Sequence, residues 1–145
     1  MARMTRRLLV ALVLAAAGLM AWSASAVALT QFATPSRNIG CIGDRTEVRC
    51  DIRVTDAKPP KRPKACRFDW GTAYVITPGA KRGRGLCASD TTLPSPGQRI
   101  RIVDYGERIV FGNSAIVCVS RKTGLTCTSK RKHGFELSRQ RIRLF

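Results

Sequence analysis

Histidine is almost absent from this 145-residue chain, which holds a single one at position 133, and acids are scarce, with nine Asp and Glu against 26 Lys and Arg. No Cys-x-x-Cys or His-x-x-His spacing occurs, so there is no ligand set from which to build a metal site, and neither a metal nor a cofactor is expected. The chain has no Gly-x-Ser-x-Gly nucleophile elbow and no paired-carboxylate signature. Aromatic residues make up 6% of it. Past the N-terminal segment they are Phe32, Phe68, Trp70, Tyr74, Tyr105, Phe111, Phe135 and Phe145, mostly outside the basic runs. Nucleic-acid surfaces interleave aromatic platforms with cations, so nucleic acid is expected to bind only non-specifically. Helical periodicity is also missing beyond the first 28 residues.

Those first residues are of a different kind. Arg3, Arg6 and Arg7 precede a run from Leu8 to Ala21 that is wholly apolar or Gly, and small residues follow as Ala24-Ser25-Ala26 and Ala26-Val27-Ala28. A basic start, an apolar stretch and an Ala-x-Ala site are the parts of a secretory signal. Residues 1–28 therefore read as a signal peptide and 29–145 as one domain, with cleavage after Ala28 preferred to cleavage after Ala26. Arg6-Arg7 also fits a weak twin-arginine signal. The competing reading is an uncleaved anchor, because the stretch from Leu8 to Ala28 is near spanning length. Residues 1–28 hold three Arg and no acid, so 23 basic residues and all nine acids fall after them, a balance of about +14.

All six cysteines, at 41, 50, 66, 87, 118 and 127, lie beyond the signal. An even count in an exported chain reads as disulfides. Cys41 and Cys50 bracket a turn-forming centre flanked by β-formers, as do Cys118 and Cys127, and both pairs have eight residues between them. Each is expected to be a cross-strand bridge within a hairpin, with Gly124 supplying a left-handed turn residue. That leaves Cys66 for Cys87.

Short β-favouring runs recur between turn signals at 39–42, 48–54, 73–77, 99–104, 108–111, 115–120, 125–128 and 139–144. Such spacing predicts an all-β fold, a small antiparallel sandwich or barrel with three disulfides. Lys58-Pro59-Pro60-Lys61-Arg62-Pro63-Lys64 reads as an extended solvated loop. Trp70, four residues past Cys66, is expected inside.

Ordered blocks at Phe32–Cys41, Val48–Ile52, Asp69–Gly71, Asp104–Gly106, Gly124–Cys127 and His133–Arg139 resemble an uncharacterised family of small exported actinobacterial proteins, a domain of unknown function. The resemblance runs from about Phe32 to Phe145. It implies an exported, disulfide-bonded β domain in an envelope or extracellular setting, and supplies no reaction, ligand or catalytic residue.

Charge is the strongest functional signal. Arg99-Ile100-Arg101-Ile102 and Arg139-Gln140-Arg141-Ile142-Arg143-Leu144 alternate Arg with mostly apolar residues at the period of a strand, which puts the cations on one face. With Arg121 and Lys122 at a hairpin tip and Lys130, Arg131 and Lys132 before the last strand, they are expected to form an anion-binding surface. The leading reading is an exported, non-enzymatic monomer that associates electrostatically with an anionic polymer or lipid head groups of the envelope, or with a protein partner. The alternatives are a small secreted hydrolase using His133, with Ser138 and Asp69 or Asp90 as partners, and an inhibitor or effector of another protein.

Overall fold

The computed structural model describes residues 28–145. The expected signal segment lies outside the described residues except for Ala28, which is exposed.

Eleven strands make up the described chain: β1 (Thr30–Ala33), β2 (Ile39–Gly43), β3 (Val48–Ile52), β4 (Asp69–Ile76), β5 (Arg84–Ala88), β6 (Arg101–Ile102), β7 (Arg108–Phe111), β8 (Ile116–Arg121), β9 (Gly124–Ser129), β10 (Gly134–Leu137) and β11 (Ile142–Leu144). They form two sheets, ordered β5-β4-β3-β2-β1-β6 and β11-β10-β9-β8-β7. Every pairing is antiparallel except β1 with β6. The protein is therefore an all-β, two-sheet structure with three disulfides, as its strand spacing anticipates.

The period of two is plainest in the second sheet, where Ile109 and Phe111, Ile116 and Cys118, and Leu125 and Cys127 are buried while their neighbours are less so. Across the core Phe32 meets Phe111 with ring centroids 6.1 Å apart, and Tyr74 meets Phe135 at 6.5 Å. Bridges join Cys41 to Cys50, Cys66 to Cys87 and Cys118 to Cys127. The two hairpin bridges also pack against each other, with Cys50 Sγ 3.9 Å from Cys127 Sγ, so covalent staples of both sheets meet at the centre of the core. Gly124 turns the β8–β9 hairpin at φ 134°. In the β2–β3 turn, Asp44 Oδ1 accepts from the Thr46 amide at 2.6 Å and the Glu47 amide at 3.1 Å.

Three strands escape the sequence pattern. β1 pairs with β2 and β6 and lies before the first β-favouring run, 39–42. β5 contains Gly85, whose lack of a side chain makes it a poor strand former on its own. It is held by Cys66–Cys87 and by its ladder with β4. β10 starts at Gly134, where a Cβ would come within 1.9 Å of the Cys127 carbonyl oxygen. The close approach of two strands selects glycine there, a residue that does not mark a strand by propensity.

Candidate functional site

The cations expected on one surface are spread over the molecule. Arg101 lies on β6, an edge of the first sheet, with Arg99 in the loop before it. The others belong to the second sheet. Arg121 and Lys122 form the β8–β9 tip, and Lys130, Arg131 and Lys132 form the turn at the far end of β9. That strand is six residues long, or roughly 17 Å at 3.3 Å per residue. The cations therefore share no sheet face, because strand parity aligns residues within one strand and does not decide which sheet the strand joins.

Arg139 does not project with Arg141 and Arg143 either. Ser138–Arg141 is a turn, closed by the Ser138 amide on the Arg141 carbonyl at 2.8 Å, and β11 begins only at Ile142. Arg139 pairs with Asp56 at 3.1 Å, while Arg141 and Arg143 both reach Glu136, at 2.7 and 3.1 Å. These contacts hold the Glu136 carboxyl below the usual range, Arg141 contributing most. Arg121, Lys122 and Arg139 do meet around a cleft of about 400 Å³ beside Tyr105.

His133 is half-buried, and its imidazole forms no hydrogen bond among the described residues. Of the residues cast as its partners, Ser138 and Asp90 are occupied elsewhere, and Asp69 is exposed at the start of β4. The Ser138 hydroxyl accepts from the Arg141 amide at 2.9 Å, and Asp90 is paired with Arg49 at 2.8 Å. Arg49 also grips buried Asp51 in a two-pronged pair, 2.9 Å on each side, and Asp51 accepts from the Thr92 amide. Burial pushes the Arg49 guanidinium down, but the bonds to Asp51 and Asp90 outweigh it and the net shift is upward. This cluster pins the segment after β5 to β3 and is structural.

A different cluster faces open space. Trp70 is half-buried and outside the core cluster, contrary to its expected place inside, and its cover comes from the proline loop. Its Nε1 donates to the Pro60 carbonyl at 2.8 Å. Gly71, at φ 97°, lets Pro59 approach so closely that a Cβ would lie 2.8 Å from the proline ring. The indole also lies against Gly85, where an added Cβ would come 2.7 Å from the ring. The loop is thus exposed yet docked. Between it, β5 and β11 runs a groove of about 850 Å³, with Trp70, Leu86, Ile142 and Leu144 among its apolar walls. Lys58, Lys61, Arg82 and Arg84 also line it, and no acid does. All four are exposed, and none enters an ion pair among the described residues.

Strand parity gave these cations no weight, since Lys58 and Lys61 sit among prolines and Arg82 and Arg84 among glycines. The available signal was two basic clusters, at 58–64 and 81–84, tied to one place by the Cys66–Cys87 bridge.

A model of a family of unknown function, DUF6636, matches residues 8–145. The chain belongs to that family. No characterised protein and no solved structure matches this DUF6636 protein. All six of its cysteines are bridged, which fits an oxidising, extracytoplasmic environment. Among the described residues no helix is long and apolar enough to cross a membrane.

Proposed function

We propose that this DUF6636 protein is exported and acts as a non-enzymatic binding domain for an anionic extracytoplasmic ligand, held at the Trp70 groove. One observation carries the reading: four cations from two segments, none in an ion pair among the described residues, converge on an apolar groove that has no acid in its walls. Solvated cations kept for solubility have no reason to gather around a concave apolar surface, whereas ligand sites combine apolar walls with a few convergent polar groups. The surrounding charge of about +14 adds long-range attraction for polyanions. The N-terminal segment and the three bridges support export.

Binding of the purified protein to polygalacturonate, measured from low to physiological salt, tests the electrostatic part. Affinity should fall steeply as the Debye length shortens to about 8 Å at 0.15 M. Affinity independent of salt would contradict it.

A further inference from the structure

We infer that the groove takes an extended acidic peptide segment, which adds as a strand to the free edge of β5; this rests on the groove being the binding site. Hydrogen-bond directions around β5 point to it. Cys41 and Cys50 are 4.1 Å apart at Cα, the spacing of a non-hydrogen-bonded pair, so the backbone groups of Cys50 turn toward Tyr74 of β4. Tyr74 is then engaged with β3. Its partner on the other side, Gly85, must direct its own N–H and C=O away from β4. Gly83, two residues earlier, confirms the direction, since its amide points across to the carbonyls of Gly134 and Phe145 at 3.2 and 3.1 Å. Gly83 therefore ties β5 to the second sheet. Beyond it the edge is open: Gly85 presents a donor and an acceptor to the groove, and alternation along β5, which stays continuous while the ladder to β4 shifts register between Asp69 and Ala73, turns Cys87 the same way.

The opposite wall is an edge as well. Gly134 and Phe145 exchange both backbone bonds, so Ile142 and Leu144 turn their backbone groups away from β10, and Leu144 O accepts from Arg82 Nε at 3.2 Å. A strand laid along β5 would set alternate side chains against Ile142 and Leu144 and lift the others toward the cationic rim.

Charge selects the occupant. Free edges invite pairing with another copy and are commonly guarded by cations; here Arg82 and Arg84 repel a second copy of so basic a chain. Residues 1–27 carry three Arg and no acid, so charge does not draw them in either. The same guard favours a segment that alternates acidic with apolar residues, and main-chain pairing gives such a segment affinity without a fixed sequence.

The test uses the purified protein with a ten-residue peptide of alternating Glu and Val, two versions N-methylated at one or the other alternate set of residues, and polygalacturonate as a polyanion without peptide groups. Methylation leaves charge intact but removes edge donors. We expect the parent peptide to bind, one methylated set to weaken it tenfold or more, the other set to have little effect, and the parent to slow amide exchange at Gly85 and Cys87 at least tenfold. If both methylated peptides and polygalacturonate bind as well as the parent, and Arg82→Glu with Arg84→Glu abolishes all of it, strand addition is overturned and an anion-binding groove stands. If neither peptide nor polysaccharide binds, both readings fall.

Discussion

At the scale of single residues, two buried groups give measurable consequences. Tyr74 is fully buried and donates its hydroxyl to the Gly71 carbonyl at 2.8 Å; burial pushes its pKa up from 10.0 to about 12. The folded state favours the neutral phenol, so this contribution is intact below pH 10 and is lost as pH rises toward 12. The gap corresponds to about 3 kcal/mol. Denaturant unfolding between pH 9 and 12 should show this decline, and Tyr74→Phe should flatten it while costing about 1 kcal/mol at neutral pH for the carbonyl left unpaired. Equal slopes in the two proteins would refute the assignment. Ser129 tests the opposite case. Its hydroxyl is buried with no hydrogen-bond partner among the described residues, so Ser129→Ala should leave stability unchanged or raise it by about 1 kcal/mol, and a clear loss in thermal unfolding would mean that the hydroxyl has a partner after all.

At the scale of elements, the staples and the alternation do most of the specifying. In the chain-entropy model, each ten-residue hairpin loop is worth about 2.7 kcal/mol. Replacing Cys118 and Cys127 by Ser should therefore cost roughly 2 to 4 kcal/mol in denaturant unfolding, and a loss below 1 would count against the bridge as a main support. The equal spacing of both hairpins, with β-formers around a polar turn, is why these elements were legible. β5 and β10 were not, since both depend on glycine tolerating a neighbour from another part of the chain: the Trp70 ring at Gly85 and the Cys127 carbonyl at Gly134. Alternation in the last segment overreached for a related reason. Ile142 and Leu144 do pack against the core, but only partly buried, and the Ser138–Arg141 turn diverts Arg139 toward Asp56.

At the scale of the molecule, the sum of charge was readable and its distribution was not. Net charge follows from composition alone, whereas the convergence of Lys58, Lys61, Arg82 and Arg84 needs a proline loop docked on Trp70 and a bridge from Cys66 to Cys87. No single run of sequence contains that arrangement. If position and not total charge governs binding, affinity for polygalacturonate at low salt separates two triple variants: Lys58→Glu, Arg82→Glu, Arg84→Glu combined, and Lys130→Glu, Arg131→Glu, Lys132→Glu combined. Both triple variants alter exposed side chains and change net charge equally, and circular dichroism checks that each is folded. The groove variant should lose at least tenfold and the turn variant no more than about threefold; equal losses in the two would mean that total charge alone governs binding.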